Sequence, residues 1–397
     1  MNRLFAGSGA GRMRRERGMS LIEILVALLI ASLLTLGLMQ IFSATRMTSQ
    51  MQEGLSRVQE NGRFATQYLQ RQLRMVGFMG CGSDAGRIAQ SSNFVNHLAL
   101  FDGTVPAGSV YRFQRPMEAF TAGSGTPPTE LTSDSASFVE GSDVLILRVF
   151  SDESVPVLSI TRDATRLNIN LASGGAPFLP PSGSTTLFAM QNCRSADVFS
   201  GTLTGPLLVV DGADGVNQYL DPSVSGCGQA ACPWDFRISN ATLNSTPLTG
   251  GPPRLNAEIH RAEYIALFVR DGGLFVKRFK RNEADLDDAQ NLVEGVENMQ
   301  LRFGYDTSAT PDGTVDEYRT AEEVVAGAAS DEAIDASWQR VLSVRVALLL
   351  RSPDRAGVTG SDRSFDLLGV TITPENDGAM RQVYETTIAL RNRLFNS

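Results

Sequence analysis

The sequence predicts an α+β protein in which a long N-terminal helix precedes a large antiparallel β region. Two observations favour this class. Residues 20–76 contain no Pro and repeat apolar residues at helical spacing, whereas the chain after Gly77 is rich in Gly, Ser, Thr and Pro and has short β-branched runs. With 42% hydrophobic and 20% charged residues, the 397-residue chain can bury a sizeable core, which excludes wholesale disorder.

Composition also narrows the classes of function. A net charge of −8 argues against a nucleic-acid partner, because such a protein needs a basic face. His97 and His260 are the only histidines, so a His-rich zinc site is excluded, and we expect both to be surface or packing residues. The catalytic strings GxSxG, HExxH and GxxxxGKS/T do not occur. We therefore expect that the protein is not an enzyme.

The N-terminus combines a basic leader with an apolar helix. Residues 1–18 carry five Arg and one acid, and Glu23 is the one charged residue in residues 21–42. As a helix this apolar run is about 33 Å long, enough to cross a bilayer core. The leader predicts a cytoplasmic N-terminus, with the chain after residue 45 or so on the other side. A plain uncleaved signal anchor is one interpretation of this segment.

Glu23 favours a more specific interpretation. A carboxylate two residues inside an apolar run costs a few kcal/mol unless it is paired or near the interface. The string Arg17-Gly18-Met19-Ser20-Leu21-Ile22-Glu23 resembles the type IV prepilin signal, which is a basic leader ending in Gly with an acid five residues later. The alternative for Glu23 is an unpaired residue at the level of the lipid headgroups.

The prepilin resemblance implies a processing reaction and an assembly contact. Prepilin peptidase would cleave between Gly18 and Met19 on the cytoplasmic face and methylate the new amine of Met19. Glu23 would then pair with the N-terminal amine of a neighbouring subunit, which offsets the burial of both charges and sets the axial register. Residues 1–18 would thus be the leader, and residues 19–42 the transmembrane and fibre-core half of the helix.

Residues 43–77 predict an amphipathic continuation of this helix. Small and apolar residues follow one another at steps of three or four, and polar residues lie between them. Gly37 and the pair Asn61-Gly62 are points where we expect the helix to bend or loosen. The stripe consists of Met47, Met51, Leu55, Val58, Gly62, Ala65, Leu69, Leu73 and Val76.

Residues 78–397 predict a β-rich globular region outside the membrane. The pilin resemblance implies an antiparallel sheet laid on the second half of the helix, and the size leaves open a division into two β-subdomains. We expect long loops at residues 101–142, 172–185 and 211–256. Candidate strands are residues 144–150, 166–171, 186–191, 207–210, 263–270, 274–280, 296–305, 340–350 and 382–391.

Strings in the last third resemble the PilW-type minor pilins of type IV pili. They are residues 292–306, 312–318, 344–352 and 387–392. The resemblance implies a minor pilin that primes pilus assembly within a minor-pilin complex at the pilus tip, and that supports twitching motility and adhesion. The alternatives are a pseudopilin that caps a type II secretion pseudopilus and, in another class, a membrane-anchored periplasmic enzyme or adhesin.

The same resemblance implies partners and a location. The partners would be prepilin peptidase, other minor pilins, the major pilin, a tip adhesin and, before assembly, inner-membrane lipid. The protein would cross the inner membrane once, with its C-terminal region in the periplasm, and then enter the pilus at the cell surface.

The four cysteines predict disulfide bonds. An even, sparse set without a CxxC pair fits two bridges in an oxidising compartment. Cys227 and Cys232 are five residues apart, so they can form a small hairpin-like bridge, which leaves Cys81 to pair with Cys193. Three connectivities exist for four cysteines, and free buried thiols are the other alternative.

An acidic stretch is a weak candidate for a calcium site. Asp306, Asp312 and Asp316 surround Gly313, and carboxylates around a Gly turn suit a hard cation. The spacing departs from the EF-hand pattern, and the terminal bidentate Glu is missing. We therefore favour a solvated hairpin turn, and we predict no other cofactor.

Overall fold

The computed structural model describes residues 19–78, 94–98, 111–128, 131–132, 135–162, 166–172, 179–192, 196–211, 217, 257–279, 289–355 and 363–393. The chain divides into two compact units, with the boundary between Glu53 and Gly54. Cys81, Cys193, Cys227, Cys232 and Gly18, on which several sequence predictions rest, lie outside the described residues.

Helix α1 spans Leu21–Met75 without interruption, which confirms the predicted long helix. Gly77 ends it with a φ of 75°, a left-handed conformation that glycine adopts at little cost. The side-chain amide of Asn392 donates to the carbonyls of Arg74 (3.0 Å) and Val76 (3.3 Å). The C-terminal end of α1 is thus capped by the last segment of the chain.

After α1, the described residues form two short α-helices and seventeen strands. The helices are α2 Ala321–Val324 and α3 Asp331–Gln339. The strands are β1 Phe94–Asn96, β2 Met117–Thr121, β3 Asp143–Phe150, β4 Val155–Arg162, β5 Arg166–Leu171, β6 Thr185–Gln191, β7 Ala196–Thr204, β8 Leu207–Asp211, β9 Glu258–Arg270, β10 Gly273–Phe279, β11 Gln290–Glu294, β12 Val296–Tyr305, β13 Glu317–Arg319, β14 Val341–Arg355, β15 Phe365–Leu367, β16 Val370–Ile372 and β17 Ala379–Ala389.

The strands form three sheets within the described residues. The largest has eleven strands in the order β1-β7-β8-β5-β4-β9-β10-β11, with β2, β3 and β6 attached through β3–β9, β6–β7 and β6–β9 pairs. A four-stranded sheet has the order β13-β12-β14-β17, and β15 and β16 form a hairpin. All of these pairs are antiparallel except β1 with β7. The architecture is therefore α+β with large antiparallel sheets, as predicted.

The two larger sheets belong to one compact unit and are joined by a polar seam, formed by Gly141–Asp143 and residues 299–301. The Gln300 side chain donates to the Gly141 carbonyl at 2.6 Å, and the Met299 N–H donates to Ser142 Oγ at 3.1 Å. The Leu301 N–H donates to Asp143 Oδ2 at 2.7 Å. Strand β13 pairs only with Phe303–Tyr305 of β12, so the N–H groups of Met299 and Leu301 on that side of β12 bond to side chains of the other sheet, and no backbone ladder forms there.

Helix α1 packs on the four-stranded sheet through its second half. Gly54, Val58, Gly62, Ala65, Leu69 and Leu73 are its buried residues. A Cβ at position 62 would lie 2.5 Å from the ring of Tyr384 on β17. The expectation that Gly62 is a bending point is therefore wrong. The helix is continuous there, and the glycine allows close approach of the sheet. The helix also continues through Gly37.

Several elements differ from the sequence prediction. Strand β2 lies inside the segment 101–142, which we expected to be a loop. Its sequence does not predict a strand, because Glu118, which is buried in ion pairs, interrupts the apolar alternation. Strand β7 was missed because its inward residues include Asp197 and Ser200. Helix α2 begins with a Thr320–Glu323 capping box, a local signal that sequence analysis had overlooked.

A buried ionic cluster attaches α3 to the eleven-stranded sheet. Asp335 accepts from Arg115 Nε and Arg112 Nη2, each at 2.9 Å. Glu118 on β2 pairs with both Arg115 and Arg148. Burial alone would lower the pKa of Arg115, but Glu118 and Asp335 raise it above its usual value. Burial alone would raise the pKa of Glu118, but Arg148 and Arg115 lower it below its usual value.

Candidate functional site

The first half of α1 presents an apolar surface. Its side chains are exposed from Leu21 (77%) to Phe42 (70%). Leu21–Met75 is the one helix among the described residues that is long and apolar enough to cross a membrane. Exposed apolar surface of this extent is unfavourable in water, so it requires lipid or other apolar helices around it.

Glu23 belongs to a capping box at the start of this helix. The N–H of Ser20 donates to Glu23 Oε2 at 3.1 Å, and the Ser20 hydroxyl lies 3.3 Å from the same oxygen. In return, the Glu23 N–H donates to Ser20 Oγ at 3.3 Å. Two N–H groups that lack helical partners are thereby satisfied. Ser20 was missed as a site residue, although Ser-x-x-Glu before an apolar run is a recognisable signal.

Met19 and Glu23 lie together at the N-terminal end of α1. Met19 precedes Ser20 directly and is 67% exposed. Glu23 is in the first turn, where the unpaired N–H groups of the helix favour a negative charge. The arrangement leaves Met19 accessible and places one carboxylate within a turn of it. Gly18, the other residue of the predicted cleavage site, is not described.

The three aspartates of the weak calcium candidate accept hydrogen bonds from backbone N–H groups of their own loop. Asp306 is fully buried, and its Oδ2 accepts from the N–H groups of Asp312 (2.9 Å) and Gly313 (3.0 Å). Asp312 Oδ1 accepts from the Thr314 N–H at 2.8 Å. Asp316 Oδ2 accepts from the Thr307 N–H at 2.7 Å, a bond that lowers the pKa of Asp316.

These carboxylates do not converge on a common point for a cation. Across the described ranges no group of three or more His, Cys, Asp or Glu side chains could hold a metal ion. The carboxylates instead close the turn between β12 and β13, as Asx-type bonds do in loops. These bonds are those of a hairpin turn, and the calcium site stays a prediction.

Both histidines are buried packing residues. His97 Nε2 lies 3.0 Å from Asp197 Oδ1. His260 Nδ1 lies 2.8 Å from the Ser151 carbonyl, and burial lowers the pKa of the His260 imidazole. His260 also contacts the ring of Phe78, with centroids 6.2 Å apart, and the side chain of Gln191 at 3.3 Å.

Comparisons with known proteins match both ends of the chain. Residues 13–39 match the family described as the prokaryotic N-terminal methylation motif, and residues 267–392 match Type IV Pilus-assembly protein W. The second match covers the end of β9 through β17. The first includes Gly18, Met19 and Glu23. Comparison with curated protein sequences gives no significant match.

One solved structure with a similar chain is a type IV-like pilin from Thermus thermophilus. The two chains are 15% identical with a TM-score of 0.20, and the alignment covers 33% of this chain and 66% of that one. The alignment thus spans just under two thirds of the length of that pilin.

Proposed function

We propose that this chain, a type IV pilin with a PilW-type C-terminal region, is a minor pilin that primes assembly of the type IV pilus. The observation that carries the proposal is the exposed apolar half of α1, with Met19 and Glu23 at its head. Such a helix is suited to leave lipid for a bundle of similar helices. Its one charge lies where an incoming amine can meet it.

Processing would create that amine. Cleavage between Gly18 and Met19 by prepilin peptidase leaves Met19 as the N-terminus, and the same enzyme methylates it. Until assembly, the Ser20–Glu23 capping box supplies the carboxylate with hydrogen bonds and reduces the cost of holding it at the membrane. In the fibre, the amine of a neighbouring subunit would provide a charged partner for Glu23.

The β region favours a terminal place in the fibre. It is large, and the chain is acidic overall, with a net charge of −8. Repeated copies would crowd and repel one another along a regular fibre, whereas one copy in a minor-pilin complex at the tip would not. We therefore place the β region outside the inner membrane before assembly and at the cell surface after it.

The first test is the chemistry of the mature N-terminus. Mass spectrometry of the protein purified from membranes should find N-methylated Met19 as the first residue. An intact Met1 would reject the pilin reading and leave an uncleaved anchor on an enzyme or adhesin.

The second test asks what Glu23 does after processing. Glu23→Ala should leave cleavage intact but remove the protein from sheared pili and reduce piliation and twitching, because the amine of the neighbour loses its partner. Glu60→Ala, at an exposed acid on the same helix, is the matched control and should assemble normally. Normal incorporation of Glu23→Ala would contradict the assembly mechanism. Normal piliation in a deletion strain would contradict priming.

A further inference from the structure

Strand β17 is a long strand at the edge of its sheet. It spans Ala379–Ala389 and pairs with β14, and no other described strand pairs with it. Its register with β14 is continuous from Arg381 to Ala389, with no bulge over these nine residues. The opposite edge of the sheet is β13, which has three residues. Glu385, Thr387 and Ala389 are exposed.

The register identifies which backbone groups face the open side. The Leu390 N–H donates to the Leu342 carbonyl at 2.8 Å, one step beyond the Ser343–Ala389 pair. Residues that face β14 alternate with residues that face away from it in an antiparallel ladder. Even-numbered residues of β17 therefore bond to β14, and the N–H and C=O groups of Val383, Glu385 and Thr387 point to the open edge.

This edge lacks the features that usually protect exposed strands. Natural edge strands are short, bulged or interrupted by Pro, or they carry inward charges and lysines. β17 has no Pro and no Lys, and its two charged residues are Arg381 and Glu385. Both are paired within the chain: Arg381 with Glu297 and Asp377, at 2.7 and 2.8 Å, and Glu385 with Arg345 at 3.7 Å. The flat ladder that remains is suited to accept a further strand through main-chain hydrogen bonds.

The direction of α1 argues against a second copy of this chain as the added strand. Gly54 contacts Ser352, a residue of β14 near the start of β17, and Gly62 contacts Tyr384 in the middle of β17. Arg74, at the end of the helix, accepts a hydrogen bond from Asn392, which follows β17. The second half of α1 therefore runs alongside β17 in the same direction. An antiparallel β17–β17 pair would reverse the helix of one copy, whereas two copies anchored in one membrane in the same orientation keep their helices parallel.

We propose that β17 accepts an extended strand from another subunit of the pilus assembly. The added strand would lie beside the second half of α1. The inference rests on the proposed function for the identity of the partner, but the open ladder itself does not. The added strand would place one face of its side chains near Tyr384 and Ile388, and the other near Glu385 and Thr387. A segment of about nine residues that alternates apolar and polar side chains fits this edge.

The test uses a photo-crosslinking residue, benzoylphenylalanine, at Glu385 or at Thr387 of the full chain in piliated cells. The crosslinked peptides are then sequenced from membranes and from sheared pili. We expect both positions to mark one segment of a different subunit, at sites two residues apart, as two neighbours on one strand face should. Crosslinks to a second copy, to another part of the same chain, or to scattered sites would overturn the proposal.

A matched pair of variants tests the ladder. Thr387→Pro removes an N–H that faces the open edge and leaves the bonds to β14 intact, so it should abolish the crosslink from position 385. Thr387→Ala keeps that N–H and should retain the crosslink. Equal denaturation midpoints for the two variants establish that both are folded. Retention of the crosslink in folded Thr387→Pro would refute strand addition.

The two proposals can fail separately. If the chain is absent from pili but crosslinks in register to one segment of another subunit in membranes, the minor-pilin role fails while the strand acceptor stands. If the chain enters pili and the crosslinks do not share a register, the strand acceptor fails alone.

Discussion

At the residue scale, Gly62 shows how a small side chain can determine helix packing. Glycine inside a helix normally costs about 1 kcal/mol relative to alanine. Here the missing Cβ lets α1 approach the Tyr384 ring, so the position is used for contact and not for flexibility.

We predict that Gly62→Ala destabilises the protein by about 1–2 kcal/mol, since the overlap with Tyr384 outweighs the gain in helix propensity. Chemical denaturation of the detergent-solubilised chain measures the effect. In a Tyr384→Ala background the same substitution should become neutral or stabilising, because the overlap is gone. A destabilisation that persists without the Tyr384 ring would show that another contact is responsible.

Asp143 in the polar seam is a second residue whose contribution to stability can be predicted. Burial raises the pKa of its carboxyl to about 6, although bonds from Thr121 and Leu301 oppose the rise. The nearby Glu322 adds to it, and Arg302 counters it. The folded protein therefore prefers the protonated form more than the unfolded chain does. The stabilisation is complete below the unfolded pKa of 3.8 and is lost as the pH rises through 6.

We expect the unfolding free energy to fall by about 2 kcal/mol between pH 4 and 7 from this group alone. Asp143→Asn should remove that component, since an amide can still accept from the Leu301 N–H and donate to Thr121 Oγ1. The measurement is denaturation of both proteins at several pH values. Parallel curves for wild type and variant would contradict the assignment.

At the element scale, α3 depends on charges for its position. Its Asp335 contacts two arginines of the segment before β2, so the helix is attached to the eleven-stranded sheet through that segment. Removing one member of a buried ionic cluster is costly because the remaining charges keep their desolvation penalty.

We predict that Asp335→Ala lowers the unfolding free energy by about 3 kcal/mol, the low end for a broken buried pair, because Arg115 keeps Glu118. Asp331→Ala is the matched control on the same helix. Asp331 lies 3.5 Å from both arginines and is more exposed, so its loss should cost less. Equal effects of the two substitutions, measured by chemical denaturation, would show that the two shorter hydrogen bonds of Asp335 are not the cause.

Sequence patterns predicted the elements whose signal is local. The apolar helix, the β9–β10 hairpin around Asp271-Gly272 and the strands β12, β14 and β17 follow from periodicity and turn residues. Strands β2 and β7 could not be predicted in this way, because their buried Glu118 and Asp197 are tolerated only through distant partners, Arg148 and His97. The role of Gly62 likewise depends on Tyr384, 322 residues away in the chain.

The residues of the candidate functional site also divide into those with a local sequence signal and those without one. Gly18, Met19 and Glu23 are recognisable from one short string, whereas the open edge of β17 depends on sheet order, which no local pattern contains. Ser20 was within reach of sequence analysis, because a capping box is a local motif.

At the scale of the whole molecule, the predicted Cys81–Cys193 bridge would join parts of the β region that are distant in the sequence. None of the four cysteines lies among the described residues, so the Cys81–Cys193 pairing, with Cys227–Cys232 as the second bridge, stays a prediction from the sequence.

We therefore expect peptide mapping under non-reducing conditions to find Cys81 linked to Cys193, and reduction to lower the unfolding free energy by about 2–4 kcal/mol. A Cys193→Ser variant should lose this bridge and keep Cys227–Cys232. A crossed pairing, such as Cys81 with Cys227, would reject the arrangement.

The capping of α1 by Asn392 has a consequence for the order in which the chain is made. The buried stripe of the helix leaves the ribosome early, but strands β12, β14 and β17, which cover it, are synthesised much later. Contacts that span so much chain form slowly. The stripe therefore stays uncovered until β17 has been synthesised, and a product truncated before β17 would leave it open to proteolysis.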